Sequence, residues 1–303
     1  MRASTLLRLG LSCVVMTIAI GCQPIIRPPA SVSIAVTSAP QALPLPQATS
    51  VPAKGLPSMG HTVQTGDITT YYEEYGKGDP IIILHGSLGS TADFAGVIPA
   101  LSNEYKLYVV DSRGRGRSTD SKLPLSYDLM MSDTLQLMDA LGLTKTTILG
   151  WSDGAIIGID MAIHHPDRVK ALVSYGGQYD ANGGTPFFVQ FAETMTIDDV
   201  KDWATSYQST SPQPERLEVI LEKIRCMVLT QPHFTEAQVS SIKVPTLVLD
   251  GEDEEIVLVD HAKALAKLIP NSELVLMKGV GHFAPYQKPD EFSRAVLDFL
   301  RKQ

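Results

Sequence analysis

From about residue 61 onward the chain alternates short aliphatic runs with longer amphipathic stretches, and this alternation limits the possible folds more than any other feature. The strand-length runs are ITTYYEEY (68–75), PIIILHG (80–86), KLYVVD (106–111), TTILGW (146–151), KALVSYG (170–176), PTLVLDG (245–251) and ELVLMKG (273–279). Between most of them the apolar residues recur at helical spacing, over 126–141, 155–164, 259–268 and 291–301. Continuous Ile, Val and Leu runs suit strands buried on both faces, and strands joined by helices run parallel. The expected class is therefore α/β, a mostly parallel central sheet flanked by helices. Residues 185–243 break the rhythm, with helical patterns (PFFVQFAETM, RLEVILEKIRCMVL) and no convincing strand. An insertion at this point covers the carboxyl ends of the strands, where open α/β sheets bind ligands, so it is expected to be a small helical lid.

The first 60 residues differ in kind. Arg2 and Arg8 precede an apolar run from Leu9 to Ile20 that ends in Gly21 and Cys22. The run is too short to span a bilayer and fits an export signal over residues 1–21. The residues AIGC (19–22) resemble a bacterial lipobox, which implies lipidation at Cys22 and a lipid anchor to a membrane, with the domain at the cell surface or in the periplasm. The segment that follows, up to about residue 60, is rich in Pro, Ala, Ser and Thr, nearly uncharged and without periodicity, and is expected to be a disordered tether. The remainder, 61–303, is long enough for one large domain. The chain carries 25 Lys and Arg against 33 Asp and Glu, and the signal removes only basic residues, so a nucleic-acid partner is not expected.

Gly150-Trp151-Ser152-Asp153-Gly154 stands between a predicted strand and a predicted helix. A serine can be presented on so tight a turn only if the residues two places away lack side chains, which exposes its Oγ above the sheet. A serine hydroxyl needs a base to accept its proton. Of the seven histidines, His282 has the most suitable context, in the loop Lys278-Gly279-Val280-Gly281-His282-Phe283 after the last predicted strand.

Six segments in this order, LHGSLGS (84–90), DSRGRGRS (111–118), GWSDG (150–154), HPDRVKALV (165–173), VPTLVLDGEDE (244–254) and GVGHF (279–283), make the chain from about His61 onward resemble an α/β-hydrolase. The pentapeptide GWSDG is further similar to the elbow of valacyclovirase-like esterases. The resemblance implies a serine hydrolase that cleaves carboxylic esters or related acyl substrates through an acyl-enzyme, without metal or organic cofactor. Lactonase, amidase, carbon–carbon bond hydrolase and perhydrolase activities use the same residues and stay open. It also implies an acid in the loop after PTLVLD, where five carboxylates crowd into six positions: Asp250, Glu252, Asp253, Glu254 and Glu255. Alignment with the family's pattern falls on Glu254, with Asp253 as the alternative. The oxyanion donors it implies are the backbone amides of Ser87, or alternatively Leu88, and of Asp153. Trp151 and Asp153 are candidate substrate-binding residues: the Asp153 carboxylate could hold a substrate ammonium, or its side chain could cap the following helix. Arg113 and Arg115 are read as braces for loops beside the site. From a different class comes a non-catalytic surface receptor that uses the lidded pocket to bind without turnover.

Overall fold

The computed structural model describes residues 59–303. The expected export signal, Cys22 and most of the tether lie outside the described residues. Eight strands form one sheet: β1 (Met59–Thr65), β2 (Ile68–Tyr75), β3 (Pro80–Leu84), β4 (Lys106–Asp111), β5 (Thr146–Trp151), β6 (Val169–Tyr175), β7 (Thr246–Gly251) and β8 (Ser272–Met277). Their spatial order is β1-β2-β4-β3-β5-β6-β7-β8. The β1–β2 and β2–β4 pairs are antiparallel and every other pair is parallel, as the alternation requires. Helices α1 (Ile98–Leu101), α2 (Tyr127–Ala140), α3 (Asp153–His164), α8 (Val259–Leu268) and α10 (Pro289–Leu300) flank it. The Ser126 hydroxyl caps α2 by accepting from the Leu129 amide, and Pro289 starts α10 at a position that needs no amide hydrogen.

The sequence pattern does not predict β1. Its residues, MGHTVQT, are mostly polar, and the first two fall in the segment expected as tether. It forms as a hairpin with β2 through the turn Gly66-Asp67, where Gly66 takes φ +56°, and pairing with β2 rather than apolar patterning defines it.

Strand order reverses at β3, which has β4 on one side and β5 on the other. In a sheet of this kind the crevice at the carboxyl ends beside such a reversal is the natural binding place. The loops after β3, β4 and β5 all emerge there, carrying HGSLGS, SRGRGRS and Ser152. β3 is fully apolar from Ile81 to Leu84, β5 is buried throughout, and Leu149, Val173 and Leu249 continue the core across β5, β6 and β7. The edge strand β8 is less covered, with Leu274 exposed.

The interval expected to be a lid contains α4 (Pro186–Thr194), α5 (Lys201–Thr210), α6 (Leu217–Thr230) and α7 (Glu236–Ser240), and no strand of the sheet. Asp120, in the loop after β4, anchors it: its buried carboxylate pairs with Arg216, just before α6, and with Lys223 of α6 at 2.8 Å. The Asp120 amide in turn donates to the Gln213 side-chain oxygen at 2.6 Å. These contacts tie residues nearly a hundred positions apart, and no local sequence signal points to them.

Candidate active site

Ser152 sits at the tip of the turn from β5 into α3 with φ 56° and ψ −115°, the one non-glycine residue with positive φ among the described residues. Such a conformation costs on the order of 1–3 kcal/mol and persists only where the surroundings enforce it. Glycine on both sides permits the turn. A Cβ on Gly150 would run into the Gly154 carbonyl, and one on Gly154 into the Leu84 carbonyl. Two backbone bonds then hold the turn from either side: the Ser152 amide donates to the Tyr175 carbonyl at 2.8 Å, and the Gly154 amide to the His85 carbonyl at 3.1 Å.

His282 lies in the loop between β8 and the one-turn helix α9 (Ala284–Gln287), and its side chain is only 5% exposed. Its Nδ1 stands 3.0 Å from Glu254 Oε1 and 3.1 Å from Oε2. An Nδ1–H donating to Glu254 leaves Nε2 unprotonated, the tautomer a base needs. The Glu254 side chain is fully enclosed, and its Oε1 also accepts the amides of Ile256 (2.8 Å) and Val257 (3.1 Å). Burial pushes the Glu254 carboxyl up, but His282 and these hydrogen bonds outweigh burial and bring it down to about 2, so it stays ionised.

The five clustered carboxylates thus have different fates. Glu252 and Asp253 are exposed, and Asp253 meets the loop of His282 through its backbone amide, which donates to the Val280 carbonyl at 3.0 Å. Glu254 takes the imidazole. Glu255 takes the backbone amide of His282 at 2.9 Å, which requires Gly281 because a Cβ there would strike the Glu255 carboxylate. Asp250 is buried with one oxygen on the Gly251 amide, and burial followed by the neighbouring Glu254 charge raises its carboxyl well above the usual range. Position in the loop narrows the acid to Glu254 or Asp253, and the contact with His282 is made by Glu254, whereas the roles of Glu255 and Asp250 depend on how the loop folds against residues 280–282.

Tyr175, at the end of β6, joins the two halves of the site. Its carbonyl accepts the Ser152 amide, its hydroxyl donates to the Gly281 carbonyl, and the same hydroxyl accepts the Ala284 amide at 3.2 Å. Sequence reading missed this residue, since nothing local distinguishes a tyrosine at a strand end.

Ser152 and His282 line one cavity of about 520 Å³. Gly86, Ser87, Leu88 and Trp151 form its floor with them, and Phe188, Phe191, Met195, Trp203, Ile224 and Val228 of the lid form its roof. Trp151 is packed edge-on against Phe94, Phe283 and Tyr286. No Lys or Arg lines the cavity among the described residues, and its only carboxylates are Asp93 and Asp202. Asp93 is buried, accepts from the Tyr286 hydroxyl at 2.5 Å and from the Ser90 amide at 3.0 Å, and burial pushes its carboxyl up to about 7.

Asp153 departs from both side-chain roles expected of it. Its carboxylate accepts from Arg115 Nη2 at 3.1 Å and from the Tyr127 hydroxyl at 2.8 Å, is buried, and is not part of the cavity wall. Buried behind the cavity wall, it does not face a bound substrate, and its two hydrogen bonds run to Arg115 and Tyr127 rather than to the amides of α3. Its two partners come from the β4 loop and α2, so the arrangement is invisible in the pentapeptide itself. Arg115 is buried, as is Arg113, which grips Asp133 of α2 with two bonds of 2.7 and 2.8 Å. His85 is a buried structural residue: its Nδ1 donates to the Gly86 carbonyl at 2.7 Å, its Nε2 accepts the Ser112 amide at 2.9 Å, and burial lowers its pKa to about 3.

The alpha/beta hydrolase fold family matches residues 79–218. The chain is 27% identical over 267 residues to a 2-hydroxy-6-oxononadienedioate/2-hydroxy-6-oxononatrienedioate hydrolase of Pseudomonas putida, covering 78% of this chain and 92% of that protein. It is 26% identical to RutD of Pseudomonas savastanoi pv. phaseolicola, a protein named for carbamate hydrolysis, over 74% of this chain and 95% of the relative. Among solved structures, the carboxylesterase CesB of Bacillus subtilis superposes with a TM-score of 0.70 at 24% identity, covering 83% of this chain and 94% of that one.

Proposed function

We propose that this chain, a protein of the α/β-hydrolase fold, is a serine hydrolase that cleaves carboxylic esters or closely related neutral acyl substrates. The observation that carries the reading is the strained Ser152, held at φ 56° on a turn beside a cavity that also contains the His282 bound by Glu254. In the proposed reaction, Ser152 Oγ attacks the acyl carbonyl while His282 Nε2 accepts its proton. Glu254 keeps the imidazole in the tautomer with Nδ1–H and offsets the charge of the imidazolium. The amide of Asp153, with that of Ser87 or Leu88, donates to the oxyanion as it develops. His282 then returns the proton to the leaving oxygen, the alcohol departs, and water, activated by the same imidazole, hydrolyses the acyl-enzyme.

The two relatives are named for hydrolysis of a dienedioate or trienedioate and of a carbamate, and the character of the cavity favours a neutral substrate. A dienedioate of the kind named for the Pseudomonas putida relative carries two carboxylates, and a buried carboxylate needs a cation or several donors. With no Lys or Arg among the described lining residues and two acidic ones present, an uncharged acyl group suits the cavity better. Asp153, buried against Arg115 and Tyr127 and outside the cavity lining, gives no support to aminoacyl esters. Export by residues 1–21 and lipidation at Cys22 belong to the same proposal, and mass spectrometry of the mature N-terminus tests them.

Pre-steady-state hydrolysis of a neutral p-nitrophenyl ester tests the reaction. A burst of nitrophenolate approaching one per chain, absent in Ser152→Ala, supports an acyl-enzyme on Ser152. A cavity that bound such esters with no release above the uncatalysed rate would instead support the non-catalytic receptor.

A further inference from the structure

The loop after β3 and the start of α3 supply the two amides proposed to hold the oxyanion, and they belong to residues more than sixty positions apart. Their separation must be fixed to a few tenths of an ångström for both to reach one oxygen. One buried side chain bonds to both segments, at the Ser87 carbonyl and the Asp153 carboxylate. Arg115 Nε donates to the Ser87 carbonyl at 3.0 Å, and its Nη2 donates to the Asp153 carboxylate at 3.1 Å. Its remaining Nη1 is held by the Arg113 carbonyl at 2.8 Å and Met130 Sδ at 3.4 Å. The Tyr127 hydroxyl closes the other Asp153 oxygen at 2.8 Å. All three nitrogens of the guanidinium are therefore committed, and the side chain is 1% exposed.

We infer that Arg115 is a positioning residue that spans the oxyanion hole, setting the spacing and strength of its two donors without touching substrate. This rests on the serine-hydrolase reading above. The planar fork of a guanidinium suits the task because its Nε and Nη2 bonds point in fixed relative directions, which an ammonium cannot reproduce. The bond to the Ser87 carbonyl also acts on the peptide unit whose other end is the Leu88 amide: drawing electron density toward that oxygen makes the amide a stronger donor. The ion pair with Asp153 fixes the side chain of the residue whose amide opens α3. That amide has no acceptor within the helix, so it is free to serve an oxyanion. Cavity-lining residues would instead act on binding, so the two roles separate kinetically.

The test compares Arg115→Lys with wild type in ester kcat and KM and in the second-order rate of phosphonylation by a neutral alkyl p-nitrophenyl phosphonate, whose oxygen enters the same hole. Arg115→Lys keeps the charge opposite Asp153 and loses the fork. The expected result is a 10- to 100-fold fall in kcat and in the phosphonylation rate, with KM within about threefold. Should the lysine variant fail to fold, Asp153→Asn loosens the other end of the span, with a smaller fall of about five- to tenfold expected in the same two rates. A variant that folds and keeps both rates within twofold of wild type, or raises KM alone, overturns the inference. Wild type that never reacts with the phosphonate removes the serine-hydrolase reading and the inference with it.

Discussion

Glu254 meets His282 Nδ1 with both carboxylate oxygens, at 3.0 and 3.1 Å, while its neighbour Asp253 points to solvent and contributes only a backbone bond to the same region. The glutamate in this pair is held by two further amides, so its carboxylate cannot turn away without breaking them. Replacing Glu254 with Gln keeps the shape but presents an amide NH2 that can donate to Nδ1, which leaves the proton on Nε2, the wrong tautomer for a base. We expect kcat/KM for a neutral ester to fall by about 10³–10⁴-fold, as for loss of the orienting acid in established Ser-His-Asp triads. Asp253→Asn should leave it within about twofold. The reverse pattern in steady-state assays would assign the acid to Asp253.

Strain at Ser152 makes a prediction about stability rather than rate. Glycine adopts φ 56° without penalty, so Ser152→Gly should raise unfolding free energy by about 1 kcal/mol while abolishing activity. Ser152→Ala loses activity without that gain. Gly150→Ala should have the opposite effect, a loss of about 3 kcal/mol, because its new methyl meets the Gly154 carbonyl and backbone cannot yield there. Urea unfolding of the three variants checks all of this.

The two buried carboxyls beside the cavity should respond to pH with opposite signs. Glu254 is depressed to about 2, so the stability it contributes is complete above the ordinary carboxylate range and is lost as pH falls toward 2. Asp93 is raised to about 7, so its folded form keeps a proton that the unfolded chain releases near pH 4. Between about pH 4 and 7 this one group should lower stability by about 1.4 kcal/mol per pH unit. Asp93→Asn should flatten the slope by that amount, measurable as thermal or urea unfolding at pH 5, 6 and 7. An unchanged slope would mean that Asp93 is ionised in the folded protein.

Asp120 holds the lid through Arg216 and Lys223, both partly buried. Asp120→Asn removes the charge and leaves two cations facing a neutral amide, so the attachment of α6 should weaken by about 3 kcal/mol. Limited proteolysis between residues 210 and 225 should speed up at least tenfold while cleavage elsewhere changes little. Equal protection in wild type and variant would show that apolar packing of Ile220 and Ile224 alone keeps the lid in place.

How much of this was legible in sequence depended on whether the constraint was local. The Ser152 turn was readable because its requirement, no Cβ at Gly150 or Gly154, is written within five residues. The parallel sheet was readable because burial on both faces leaves unbroken aliphatic runs such as Ile81–Leu84. β1 was not, because a polar strand is made by pairing with β2. The partners of the Asp153 carboxylate were not legible, since Arg115 and Tyr127 reach it from 38 and 26 positions away. The carboxylates of residues 250–255 could be ranked by position in the loop, but only the approach of residues 280–282 separates the exposed Asp253 from Glu255 on the His282 amide.

The most direct measurement of the central claim is intact and peptide mass spectrometry after reaction with a neutral alkyl phosphonate. A single adduct per chain is expected, located on Ser152, absent in Ser152→Ala, and formed much more slowly in His282→Ala. An adduct that forms equally in Ser152→Ala, or no adduct on wild type at concentrations that label established serine hydrolases, would contradict the proposal.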